Sequence, residues 1–297
     1  MMSLIERALE KGKTQPAEQV NVPASQFVAV ERGRRSGDAL HERLRLAPRE
    51  VAMPDIADAM GAVQRGGFLA PKDKRLQQRA EYRHIKRKLL SELKGKTDSR
   101  SRIMLVTSAF SGEGKSFSAL NLALSLASEL DYSTLLIDGD VIKPNLSNVF
   151  GVAGRKGLMD VIVDSRVDPE SAVLSTSIPG LFVLPAGAPN PDATEHLASI
   201  RGREVIGALA APMNRILLID SLPMLQTTEA RALASHAGQV ILVVRADVTP
   251  TGAIKQAVEY LDEDCNVKMV LNAVDPMAMV GTYGYANYYG SESAEKA

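Results

Sequence analysis

Between residues 102 and 273, six short apolar runs at 103–108, 134–138, 181–184, 216–220, 240–245 and 269–273 alternate with stretches of helical spacing at 116–130, 194–211, 228–237 and 252–263. A run that is apolar on both of its alternating faces must be buried on both faces, as in a parallel sheet. The pattern therefore predicts an α/β fold, a mostly parallel sheet with helices on both faces. Apolar residues make up 45% of the 297, enough to fill such a core. Ligands of these sheets sit beyond the C-terminal strand ends, so the residues that follow each run are the ones to read for chemistry.

After the first run comes Ala109-Phe110-Ser111-Gly112-Glu113-Gly114-Lys115-Ser116, and a helical pattern follows at once. This is the phosphate-binding loop pattern G-x-x-x-x-G-K-[ST] with Ala109 in place of its first glycine. It makes the expected fold P-loop NTPase-type, with Ser111, Gly112, Glu113, Gly114, Lys115, Ser116 and Phe117 as the nucleotide-binding run. Glycines let backbone amides point at phosphate, the helix adds its positive end, Lys115 neutralises β/γ-phosphate charge, and Ser116 can ligate Mg²⁺. Two further runs end in acid, at Asp138-Gly139-Asp140 and at Asp220. A carboxylate at an apolar strand end needs a partner, and Mg²⁺ beside a triphosphate supplies one. ATP and Mg²⁺ are thus the expected cofactors.

Outside this core the chain changes character. Residues 1–102 hold 22 of the 35 Lys and Arg but 13 of the 35 Asp and Glu, so a basic third precedes an acidic remainder. Residues 1–74 lack sustained periodicity beyond a short amphipathic stretch at 3–13 and read as a flexible basic extension with transient helix near 49–62. Order is expected to begin near Arg75, with a helix carrying Tyr82, Ile85, Leu89, Leu90 and Leu93 on one stripe and Arg83, Lys86, Arg87 and Lys88 on a cationic face. That face suits a neighbouring subunit or an anionic partner, or simply solvent. Residues 278–297 form a tail in which Tyr283, Tyr285, Tyr288 and Tyr289 are four of the chain's seven tyrosines, spaced by Gly, Ala and Asn. The domain order expected is therefore 1–74 extension, 75–277 catalytic domain, 278–297 tail. The single cysteine, Cys265, excludes a disulfide scaffold and a cysteine-based zinc site. No run approaches the ~18 apolar residues of a membrane span, and the first residues lack the apolar stretch of a secretory signal, so a cytoplasmic chain is expected.

Three nucleotide motifs and the tail together resemble the bacterial protein-tyrosine kinases of exopolysaccharide loci, and the opening Met2-Ser3-Leu4-Ile5-Glu6-Arg7-Ala8-Leu9 resembles their exosortase-associated subgroup. The likeness runs from about Glu81 to Pro276. The family's first motif resembles residues 108–116, its second, an apolar run then D-x-D, resembles 135–140, and its third, an apolar run then D-[ST]-x-P, resembles 216–223. Leu184-Pro185-Ala186-Gly187, residues 194–199, and Val243-Val244-Arg245 with Thr249 add to it. The chain departs where Ser111 replaces a proline, where Ile142 then Lys143 follow the second motif in place of an arginine, and where Ala80 precedes Arg83 and Lys86 in place of a glutamate. The resemblance implies autokinase activity, phosphoryl transfer from Mg·ATP to tyrosine. In it Lys115, Asp138 and Asp140 are catalytic, Ser116, Asp138 and Asp220 hold Mg²⁺, and Tyr283, Tyr285, Tyr288 and Tyr289 accept phosphate. It also implies a homo-oligomer and a separate membrane-embedded polysaccharide chain-length regulator as activator. A cognate tyrosine phosphatase and a location at the inner membrane through that partner follow too, with no nucleic-acid partner expected.

Two other readings stay open on the residues alone. One is a P-loop ATPase switch of the partition or septum-placement type, although Phe110 stands where that class carries its signature lysine. The other is a non-catalytic nucleotide-binding scaffold that recruits partners through its basic arm and tail.

Overall fold

The computed structural model describes residues 55–262 and 265–275. The tail tyrosines and the amphipathic stretch at 3–13 lie outside the described residues. Among the described residues seven strands form one sheet: β1 (Ile103–Ser108), β2 (Ser133–Asp138), β3 (Leu174–Ser175), β4 (Leu181–Leu184), β5 (Arg215–Asp220), β6 (Gln239–Arg245) and β7 (Asn266–Asn272). The order is β3-β4-β2-β5-β1-β6-β7, with β3 antiparallel to β4 and every other neighbouring pair parallel. The C-terminal ends of β2, β5, β1, β6 and β7 therefore share one edge, and β1 stands between the acid-ending strands β2 and β5 on one side and β6 on the other.

Strand side chains alternate between faces, and the core divides accordingly. Leu105, Ile137, Ile219 and Leu242 point to the face covered by α5 (Leu158–Val163), α6 (Ala193–Ala198), α7 (Ile200–Leu209), α8 (Thr228–Ala234) and α9 (Thr251–Glu259). Val106, Leu136, Leu218 and Val243 point to the opposite face, under α1 (Ala59–Arg65), α2 (Arg75–Ser91), α3 (Lys115–Ala127) and α4 (Asn145–Val149). Each fully buried aliphatic contributes about 1.5–3 kcal/mol. The sheet is therefore held rigidly from both sides, and the loops at its C-terminal edge are the parts free to carry chemistry.

Three expectations are corrected here. Residues 55–70 belong to the core, so order begins well before Arg75. The Ile56 amide donates to the Ser175 carbonyl at 3.0 Å, Ala59, Val63 and Phe68 are buried, and the Phe68 ring stacks on Phe117 with centroids 6.3 Å apart. The helix expected to form transiently near 49–62 is the seven-residue α1, shifted toward the C-terminus, capped by Asp58 and packed into the core. The predicted helix 194–211 is two helices, broken at Ser199, whose extended backbone ends α6 while its Oγ accepts the Gly202 amide at 3.0 Å to start α7. Last, Lys86 does not belong to the cationic face of α2. It is 6% exposed, and its Nζ donates to the Ser125 carbonyl and Ser128 Oγ and pairs with Glu129 at the end of α3. A cation there complements the negative helix terminus. Arg83, Arg87 and Lys88 remain exposed.

Candidate nucleotide-binding site

The loop between β1 and α3 passes through Gly112 at φ 83° and Gly114 at φ 97°, a left-handed conformation that a Cβ disfavours. Gly114 is doubly constrained, since a Cβ there would stand 2.0 Å from Asn272 Nδ2. Ala109 takes the first glycine's place without strain, for its φ is not positive and its methyl is buried. The Phe110 amide donates to Glu113 Oε2 at 2.9 Å and the Ser111 amide to Gln226 Oε1 at 3.0 Å. The amides of Gly112, Glu113, Gly114, Lys115 and Ser116 donate to no protein group among the described residues. That run of unclaimed donors at the start of a 13-residue helix is a cradle for an anion such as phosphate. Of the predicted run, Ser111 thus has its amide turned to Gln226. Phe117 packs its ring on Phe68 and lends its carbonyl to Asn121 Nδ2 at 2.9 Å.

The acidic residues gather beside this cradle. The parallel register of β2 and β5 sets Asp138 directly against Asp220. Asp220 is fully buried, and neither of its carboxylate oxygens has a hydrogen-bond partner. Burial pushes its pKa up to about 7, against the pull of the Lys115 charge and the neighbouring Ser116 hydroxyl, while the charges of Asp138 and Asp140 add to the rise. Asp138 is also buried, which raises its pKa to about 6 despite hydrogen bonds. Its Oδ2 accepts the Ser147 amide and hydroxyl, both at 2.7 Å, and its Oδ1 accepts the Asp140 amide at 3.3 Å. Asp140 lies nearer the opening, 7% exposed, with Oδ2 3.4 Å from Lys115 Nζ and Oδ1 accepting the Lys143 amide at 2.9 Å.

Lys115, Ser116, Asp138, Asp140 and Asp220 are therefore brought together, as their spacing in the sequence predicts. Their surroundings fit Mg²⁺ and nucleotide: Lys115 pairs with Asp140 and acts on the charge of Asp220, and Asp220 has two oxygens without a donor. A buried carboxylate in that state calls for a cation. No group of three His, Cys, Asp or Glu among the described residues is arranged to hold a metal unaided. Mg²⁺ held by one or two protein groups and by phosphate suits such a site.

Four further residues shape the site, and periodicity does not single them out. Ser147 anchors Asp138, and its Oγ in turn accepts the Ala186 amide at 3.1 Å. Gln226 holds the Ser111 amide. Thr249 donates to Glu113, and Asn272 Nδ2 donates to the Glu113 carbonyl at 2.9 Å. Asn272 closes β7, so the rule that polar residues after apolar strands carry chemistry reaches it as well as Asp138 and Asp220.

The chain is similar to several known proteins, although no protein-family model matches it. EpsB of Ralstonia nicotianae is 32% identical over 196 residues, which cover 65% of this chain and 25% of EpsB. The chain thus spans about a quarter of that relative. The tyrosine-protein kinase CpsD of Streptococcus agalactiae is 31% identical over 192 residues, covering 63% of this chain and 82% of CpsD. Among solved structures, the kinase domain of VpsO superposes with a TM-score of 0.57 at 28% identity, covering 69% of this chain and 100% of that one.

Proposed function

This chain belongs to the bacterial tyrosine-protein kinase family, and from that premise we propose that it transfers the γ-phosphoryl group of ATP to tyrosine hydroxyls of its own kind. The observation that carries the nucleotide half of this reading is Asp220, buried without a hydrogen-bond partner next to Lys115 and Ser116 at the foot of five unclaimed loop amides. Ser116 and Asp220 are the residues that would hold Mg²⁺. The ion supplies charge neutralisation on the phosphate oxygens when bound.

The chain's own groups do the rest. The amides from Gly112 to Ser116 and the Lys115 ammonium bind the phosphates and stabilise the charge that builds on the transferring group. Lys115 Nζ pairs with Asp140 Oδ2 at 3.4 Å; a lysine that turns to phosphate frees that carboxylate. The tyrosine oxygen attacks the γ-phosphorus, the bond to the bridging β-phosphate oxygen breaks, ADP leaves, and the phenol proton passes to a carboxylate. The family resemblance gives that role to Asp138. Its oxygens are committed to Ser147 and the Asp140 amide, so Asp140, at the opening, receives the proton and Asp138 sets the D-x-D turn. Acceptors are Tyr283, Tyr285, Tyr288 and Tyr289.

No helix among the described residues is long and apolar enough to cross a membrane. Control by a membrane-embedded chain-length regulator of exopolysaccharide export, on the cytoplasmic side, is part of the same proposal. So are self-association and a cognate phosphatase. The test is incubation of the purified chain with Mg·ATP, then mass mapping of phosphotyrosine. Label on the tail supports the reading. Steady ATP hydrolysis without phosphotyrosine would replace it by the switch reading, and binding without turnover by the scaffold.

A further inference from the structure

Two loops distant in sequence converge behind the phosphate cradle, and the transfer reaction gives them no part. The first follows β6. Arg245 donates its amide to Thr249 Oγ1 at 3.0 Å, the Thr249 amide returns to the Arg245 carbonyl at 3.1 Å, and Asp247 between them takes a positive φ of 58°. The second is the end of β7, joined to the first where the Ala246 amide meets the Asn272 carbonyl at 2.9 Å.

Both loops end on Glu113, which is 4% exposed. Its Oε1 accepts the Thr249 hydroxyl, its Oε2 accepts the Phe110 amide, and its carbonyl accepts Asn272 Nδ2. The directions are fixed by chemistry. A carboxylate can only accept and an amide N–H can only donate. The one hydroxyl proton of Thr249 must therefore go to Glu113, while its lone pair takes the Arg245 amide.

The consequence falls on the phosphate side. In a trans peptide the C=O and N–H point in opposite directions. Asn272 draws the Glu113 carbonyl toward β7, so the Gly114 amide of the same peptide turns the other way, into the cradle. Arg245 Nη1, 3.5 Å from the Gly112 carbonyl, acts in the same sense on the Glu113 amide. With Phe110 tied to the Glu113 carboxylate, the loop is held at both of its corners.

We infer that Thr249 and Asn272 are positioning residues of the phosphate cradle, acting through Glu113 and without touching substrate. This rests on the nucleotide-binding half of the function proposed above and not on tyrosine transfer. The variants Thr249→Val, Thr249→Ser and Asn272→Ala in the full chain test it, by calorimetric titration with Mg·ADP and with Mg·tripolyphosphate, which lacks base and sugar. Loss of the bond that sets the loop should weaken binding roughly ten-fold or more at Thr249, where it is charge-assisted, and about five-fold at Asn272, where it is a neutral amide–carbonyl bond. We expect that loss for Thr249→Val and Asn272→Ala, equal for both ligands, with Thr249→Ser restoring affinity; Thr249→Val lowers the ligand-free melting temperature as well, because it takes a donor from the buried Glu113 carboxylate, so affinities are compared below every variant's transition. Affinities within two-fold of wild type in Thr249→Val and Asn272→Ala would overturn the inference. So would a loss confined to Mg·ADP, since it would place these residues on the nucleoside instead. Should Thr249→Val fail to fold, Asn272→Ala on the sheet's edge decides alone. If the wild type binds both ligands but labels no tyrosine, the kinase reading fails and this one stands.

Discussion

At the residue scale, Asp220 sets the electrostatics of the site. Its pKa is held at about 7 and that of Asp138 at about 6, both by burial, against ~3.9 in an unfolded chain. Between those values the folded chain keeps protons that the unfolded chain has released. Stability of the nucleotide-free protein should therefore fall as pH rises from about 4 to about 7, and stay low above that. Asp220→Asn removes the larger part of this slope. Differential scanning calorimetry from about pH 5 to about pH 8 should show the wild type losing melting temperature while the variant stays flatter and melts higher at the alkaline end. An unchanged slope would mean that Asp220 is not the buried group that titrates. The same variant, and Asp140→Asn, should lower phosphoryl transfer by roughly 10²-fold or more, the scale of a lost positioned charge or base, whereas Asp138→Asn acts through the turn it sets and should cost less. Lys115→Met should abolish tyrosine labelling and leave the fold intact, since Asp140 keeps the Lys143 amide as a donor. Autophosphorylation at the wild-type rate in that variant would remove Lys115 from the proposed mechanism.

At the element scale, α2 and α3 act as one unit because Lys86 closes the end of α3. Lys86→Ala leaves the Ser125 carbonyl and Glu129 without their cation and should cost about 1–3 kcal/mol in urea unfolding. Arg87→Ala on the exposed side should stay within about 0.5 kcal/mol. Equal effects from the two would return Lys86 to the solvated face. The contrast shows what the sequence could tell. Spacing placed Lys86 beside the basic residues, but only tertiary packing decides which of four neighbouring cations turns inward. The central strands β1, β2, β4, β5 and β6 were legible within a residue because burial on both faces leaves an unbroken apolar run. Strand β7 was half missed: it begins at Asn266, and at a sheet edge Asn266 and Lys268 can face water. The site was legible where chemistry demands one residue type, as with Lys115, Ser116 and the three aspartates. Ser147, Gln226 and Asn272 escaped because they act through single hydrogen bonds that many polar residues could make.

At the scale of the whole molecule, the question is whose tyrosines meet whose site. The tail follows β7, and β7 ends against the loop's own Glu113. From there to Asp138 and Asp140 at the end of β2 is four strand spacings along the sheet, ~19 Å. Tyr283 lies eight peptide steps beyond Asp275, at most ~28 Å when extended. Length alone thus admits a tyrosine to its own site. The route is the obstacle: the direct line from β7 to β2 passes over β1 and its phosphate loop, where the nucleotide of the same chain would lie. A detour uses up the slack of Tyr283 first, whereas a neighbour's tail meets no such barrier on the open side. We expect phosphorylation between subunits, spread over Tyr283, Tyr285, Tyr288 and Tyr289, with a rate that rises with protein concentration. Each phosphate adds about −1.5 to −2 charges, and the part of the chain that receives it already holds 22 of the 35 acidic residues. A labelled tail should therefore be repelled from the site, which ends the reaction and loosens any assembly the tail supports. The decisive mixture pairs full-length Lys115→Met with a wild-type chain lacking residues 281–297. Phosphotyrosine on the inactive chain establishes transfer between subunits. Its absence, with intact wild type labelling itself at a concentration-independent rate, would show that the tail rounds its own loop after all.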